Sequence, residues 1–180
     1  MPAALKADII ERTAIAANAA VGRSRLEALT ARLTGVSLAG YALNGGRQTL
    51  SGDTLRVRRD ASAALQAPWT FAKPRDREFR ERFKAELGDE PLLQAHDVRM
   101  VTTAIRIVGL ERDPKAVAEK LTRWVYDSLR KEITFSVPNA LEVLRTRRGD
   151  CNEHTQLYVA LARGIGLPAR IATGLAFVRG

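Results

Sequence analysis

The sequence predicts an α+β fold in which several helices gather around one buried helix that opens at the chain's single cysteine, Cys151. Three observations predict it. The first is a turn, Arg147-Arg148-Gly149-Asp150, running directly into an apolar helical pattern at 152–163. Asp150 stands at its N-cap and Glu153 at the matching capping-box position. Leu157 and Leu161 share one face, with Tyr158 and Ala162 beside them, and Gly164, Gly166 and Pro168 supply the stop. The second is a pair of amphipathic helices upstream. The third is alternation at Ala169 to Val178, where Ile171, Leu175 and Phe177 share a face, as in a strand.

Three segments are expected, taken in order. Residues 1–60 form a small region of uncertain, partly β fold. Alanine content suggests a helix over 3–20, interrupted by Gly22. From Leu26 to Arg59 the pattern is ambiguous: Leu26, Leu29 and Leu33 fit a helix, whereas 33–38 and 48–50 fit strands. The cleaner signal is Ser51-Gly52-Asp53 before Thr54-Leu55-Arg56-Val57-Arg58, a hairpin. Residues 61–89 are a linker and a charged amphipathic helix. The linker holds Pro68, Trp69 and Pro74, with Trp69 expected to anchor it to a core. The helix has Phe79, Phe83 and Leu87 at helical spacing among alternating charges. Residues 90–180 are the core. A helix is predicted from Leu92 to Val108, with Val98, Val101 and Ile105 on one face and Gly109 at its close. Asp113 should cap a helix from Pro114 to Arg130 with Val117, Leu121, Trp124, Val125 and Leu129 as its buried stripe. A short helix should run from Pro138 through Leu144 and end at Gly149.

Composition bounds the function classes. An apolar fraction of 46% and a charged fraction of 27% are globular values. One cysteine excludes an internal disulfide and multi-cysteine metal sites, and two scattered histidines leave little for zinc. No apolar run approaches the roughly 18 residues of a membrane span. Lys6, Asp8 and Glu11 ahead of the alanine-rich start do not fit a secretory leader. The expectation is therefore no cofactor, no metal, no membrane partner and, by default, a cytoplasmic setting. The net charge of +9 raises nucleic acid as a partner. The basic residues lack interleaved aromatics, however, so no nucleic-acid partner is expected. Arg145, Arg147 and Arg148 border the cysteine turn. They can orient an acidic substrate group or simply satisfy carbonyls at a helix end.

Cys151 admits two readings. At a helix N-terminus a thiol meets the positive end of the helix dipole and unpaired N–H groups, which favour the attacking thiolate and steady an oxyanion. A lone cysteine can also be a small buried apolar residue of no chemical consequence.

The residues Pro138-Asn139-Ala140-Leu141-Glu142-Val143-Leu144, then Arg148-Gly149-Asp150-Cys151-Asn152-Glu153-His154, then Ala162 to Arg170 and Thr173-Gly174 resemble the core of the bacterial transglutaminase-like superfamily. The resemblance covers about residues 90–180. It implies a papain-like α+β core, with an incomplete antiparallel sheet packed on the cysteine helix, and a Cys-His-Asp chemistry that attacks amide carbonyls through a thioester. By that resemblance Cys151 is the catalytic nucleophile, its own backbone N–H faces the oxyanion, and the substrate is a peptide or protein.

The superfamily's histidine and aspartate lie on strands that would follow Gly180. The chain as given is thus expected to be an incomplete catalytic domain without turnover. His154, one helical turn from Cys151, is expected to cap or pack rather than act as base, and His96 to be a satisfied structural histidine. A non-catalytic binding module with a structural thiol is the alternative. The predicted strand Ala169 to Val178 is also expected to offer an edge for self-association.

Overall fold

The computed structural model describes residues 26–59, 76–132 and 139–174. The expected helix at 3–20 and the linker with Pro68, Trp69 and Pro74 lie outside them. The chain divides into two compact units, residues 2–66 and residues 67–180.

The first unit holds a three-stranded antiparallel sheet of β1 (Ala28–Arg32), β2 (Gln48–Ser51) and β3 (Thr54–Arg58), in the order β1-β3-β2. The predicted hairpin is present. Ser51 pairs with Thr54 across a two-residue turn in which Gly52 adopts φ 60°, a conformation open to glycine at no steric cost. The helical option for Leu26, Leu29 and Leu33 and the strand option for 33–38 are both corrected. Residues 28–32 pair with Arg58 to Thr54, leaving Leu33 to donate its N–H to Asp53 O as the strand ends.

The second unit is helical, with one small two-stranded sheet. It comprises α1 (Arg77–Arg82), α2 (Lys84–Leu87), α3 (Val98–Val108), α4 (Pro114–Ser128), β4 (Arg130–Lys131), α5 (Ala140–Thr146), β5 (Arg148–Gly149) and α6 (Cys151–Gly164). The charged helix breaks in two at Phe83, with Phe79 buried and its ring 4.7 Å from that of Phe83. The helix predicted from Leu92 starts only at Val98. Asp97 caps it by accepting from the Arg99 N–H, while residues 90–93 fold back on themselves through paired Glu90 and Leu93 backbone bonds. A side-chain cap that competes for the backbone at 97 outweighs the apolar periodicity before it.

The face of α3 is corrected as well. Met100, Ala104 and Val108 are buried, whereas Val98 is 73% and Ile105 58% exposed. Gly109 closes the helix at φ 62° as expected. Asp113 caps α4 from ahead of Pro114 at the first helical position, and the helix ends at Ser128, two residues short of Arg130. The Arg130 N–H is instead committed to Arg147 O, starting β4. The short helix runs from Ala140 to Thr146, and Arg147 rather than Gly149 ends it.

Residues 130–131 and 148–149 form a parallel pair. Parallel strands require a crossover, which α5 supplies. Among the described residues of the core this is the only strand pairing, so the expected antiparallel sheet is not seen there. Nor does the predicted strand at Ala169 to Val178 form over its described part, 169–174, where no ladder partner is present. Its remainder lies outside the described residues.

The helix opened by Cys151 is the hub. Leu157, Ala160, Leu161 and Ala162 are fully buried, Val159 nearly so, and α3, α4 and α5 pack around it. A helix apolar on every side must be enclosed on every side. Burying each leucine contributes roughly 1.5–3 kcal/mol. Its far end is held by Arg163, itself 3% exposed, which donates to Gly88 O, Ala169 O and the Glu90 carboxylate. Those three acceptors make a buried cation tolerable at a position that sequence pattern alone marks as helix end.

Candidate active site

Four residues make the opening turn of α6. Gly149 ends β5, Asp150 caps the helix, Cys151 is its first residue and Glu153 its third. The Asp150 carboxylate accepts from the Asn152 N–H at 3.0 Å and from the Glu153 N–H. In return Glu153 Oε2 accepts the Asp150 N–H at 2.8 Å, completing the capping box read from the sequence. With the second and third N–H groups of the helix taken by Asp150, the Cys151 N–H is the one in the first turn with no acceptor among the described residues. Cys151 itself is exposed, next to the Asp150 carboxyl. Thr155 anchors the Cys151 carbonyl at 2.7 Å.

Two carboxyl groups lie close together here. Glu153 is 1% exposed, wedged under Gly149. Burial raises the Asp150 pKa above its ordinary value, and the neighbouring Glu153 carboxyl raises it further, against the opposing influence of the Asn152 N–H and the adjacent Cys151 thiol.

The two histidines fall in different places. His154 Nδ1 lies 2.5 Å from Asp150 O. A carbonyl only accepts, so the proton sits on Nδ1. Nε2 is buried with no hydrogen-bond partner. His154 is therefore tied back onto its own helix, and its other nitrogen is enclosed. His96 is exposed and pairs with Asp89 at 3.1 Å, in the turn before α3 rather than on a helix. It lines a cavity with Gly164 and Gly166 at the other end of α6, which 14 residues of helix place about 20 Å from Cys151. Among the described residues no group of His, Cys, Asp and Glu has the makings of a metal site. No helix there is long and apolar enough to cross a membrane.

Residues 101–179 match the sequence profile of the transglutaminase-like superfamily. This region is similar to that superfamily. No curated protein matches the chain significantly. Among solved structures, that of a "putative cysteine protease" from Cytophaga hutchinsonii aligns with a TM-score of 0.46 and 15% identity, over 64% of this chain and 39% of that one. The present chain thus spans about two fifths of that protein's length.

Within the transglutaminase-like region, the sequence did not reveal what lies behind the cysteine turn. Trp124, read as core, is only half-buried, and the Arg147 guanidinium lies 4.4 Å from the centre of its ring. Arg130 and Arg148 come together because β4 pairs with β5, and Glu132 bridges them at 2.8 and 3.6 Å. Two-residue strands leave no periodicity to read. The αL backbone of Arg147, φ 54°, was equally hidden, since that position usually carries glycine or asparagine.

Proposed function

We propose that the transglutaminase-like region is the nucleophile-bearing part of a cysteine acyl transferase or amide hydrolase acting on peptide or protein amides. The observation that carries this reading is an exposed thiol on the first residue of a largely buried helix, beside an N–H with no acceptor among the described residues. The Cys151 thiolate attacks the amide carbonyl carbon, and its own N–H donates to the oxyanion as the tetrahedral intermediate forms. The C–N bond then breaks, the amine leaves with a proton, and a thioester remains on Sγ. Water or a second amine attacks that thioester and restores the thiol, which separates hydrolysis from transfer.

The proton-transferring imidazole in this reading is a histidine other than His96 and His154. The first is a helix length away and the second is turned onto Asp150 O. The alternative, a binding module with a structural thiol, is disfavoured because such a thiol would be enclosed alongside Leu157 and Leu161, and Cys151 is exposed.

An activated ester tests the assignment, because p-nitrophenolate leaves without a general acid. A burst of p-nitrophenolate equal to the protein concentration, absent in Cys151→Ala, is expected. An unchanged burst in that variant overturns the assignment. Adding an amine to the acylated protein and comparing hydrolysed with transferred product separates the two outcomes.

A further inference from the structure

Where the end of α4 and β4 meet the end of α5 and β5 lies a concave surface of about 470 Å³, lined by Asp127, Leu129, Arg130, Thr146, Arg147 and Arg148 among others. Its three arginines are not equivalent. Arg130 and Arg148 share the Glu132 carboxylate. Arg147 has no carboxylate partner among the described residues.

Arg147 is nevertheless held in place. Its backbone sits at φ 54° and ψ 39°, a left-handed conformation that an ordinary side chain adopts at a cost. The backbone N–H donates to Val143 O at 2.9 Å, Nε to Leu144 O at 2.6 Å, and the guanidinium carbon lies 4.4 Å from the centre of the Trp124 ring. The Nε bond already does what a helix-end cation is expected to do. The two terminal nitrogens are left over, on a half-buried cation that burial makes less comfortable in its charged form. A fixed, partly desolvated guanidinium with an unused fork is suited to a carboxylate.

We infer that Arg147 is the recognition residue of a substrate subsite beside Cys151, binding the carboxylate of an acidic side chain that flanks the reacting amide. The inference rests on the catalytic reading of Cys151 and deepens it. The two residues are four positions apart along the chain, a Cα separation of at most about 14 Å. An extended peptide covers that distance in about four residues, so the acidic residue stands within four positions of the reacting one. The cation–π contact with Trp124 helps to hold the guanidinium in place, and a held fork favours a carboxylate over apolar bulk.

The test uses the full chain and peptides carrying an N-terminal chloroacetyl group, amidated at the C-terminus, with Glu or Gln at one of positions one to four. The Cys151 thiolate displaces chloride, forming a C–S bond while the thiol proton passes to solvent, and the second-order labelling rate is read by mass spectrometry. At one position the Glu peptide is expected to label about tenfold faster than its Gln twin. That ratio should fall to about one in Arg147→Gln, persist in part in Arg147→Lys, and be unchanged in Arg145→Gln. A Gln peptide with a free C-terminal carboxylate separates terminal from side-chain recognition, and preference for it alone overturns the side-chain assignment. A ratio of one at every position in the unaltered protein overturns the subsite whether or not the variants fold, and so does a ratio retained by Arg147→Gln. If no peptide labels Cys151 faster than chloroacetamide, which carries the same leaving group, the catalytic reading itself fails, which is a distinguishable result.

Discussion

Gly149 lies so close above Glu153 that a Cβ on the glycine would stand 2.3 Å from the Cβ of the glutamate and 2.9 Å from its carboxyl carbon. The strand that precedes the cysteine turn and the helix that follows it meet at this contact. Only a residue without a side chain lets Glu153 reach under β5 to the Asp150 N–H, and that bond orients the turn that presents Cys151. Gly149 also adopts φ 152°, which side chains rarely accept.

Gly149→Ala should therefore lose roughly 1–3 kcal/mol through overpacking, and more if the backbone conformation cannot relax. Urea unfolding measures it, and a loss below about 0.5 kcal/mol, the range of ordinary surface changes, would show that the contact yields easily.

Asp150→Asn should keep the helix cap, since an amide oxygen accepts the Asn152 N–H as a carboxylate does. It removes a negative charge beside the thiol, so alkylation of Cys151 by iodoacetamide at pH 7 should speed up severalfold. The pH dependence of stability changes too. Burial and Glu153 raise the folded-state pKa of Asp150 above 3.8, so its contribution is full below that value and is lost as pH rises through the folded one. In Asp150→Asn that decline disappears from the stability curve, whereas an identical curve would place the raised group elsewhere.

His154→Ala should leave the p-nitrophenolate burst at Cys151 in place while lowering stability, because Nδ1 holds Asp150 O and Nε2 is enclosed. Loss of the burst in a variant that still melts cooperatively would make His154 part of the chemistry after all.

Leu161→Ala, at a fully buried site on α6, should cost about 2–5 kcal/mol. Ile105→Ala, on the exposed side of α3, should stay within roughly 0.5 kcal/mol of the parent. Chemical denaturation of both variants checks the orientation of α3 directly. A large loss at Ile105 would mean that its face is covered.

Local chemistry is strong enough to be read along the chain at the cysteine turn. The capping box of Asp150 and Glu153, the Asp113-Pro114 start of α4, the Gly109 stop and the Ser51–Thr54 hairpin each depend on residues within a few positions of one another. So the sequence by itself determined an α+β chain with a buried helix opening at Cys151, and the motifs that resemble the transglutaminase-like superfamily. Tertiary structure decided what distant segments settle between them. Which side of α3 is buried depends on where α6 lies, and so Met100, Ala104 and Val108 turn inward rather than Val98 and Ile105. The burial of Arg163 depends on acceptors at Gly88 and Glu90, more than 70 residues earlier. The stack of Arg147 on Trp124 depends on α5 carrying the chain back so that β5 runs beside β4. Such pairings leave no periodic trace, because each rests on the meeting of two faces rather than on the order of residues in either.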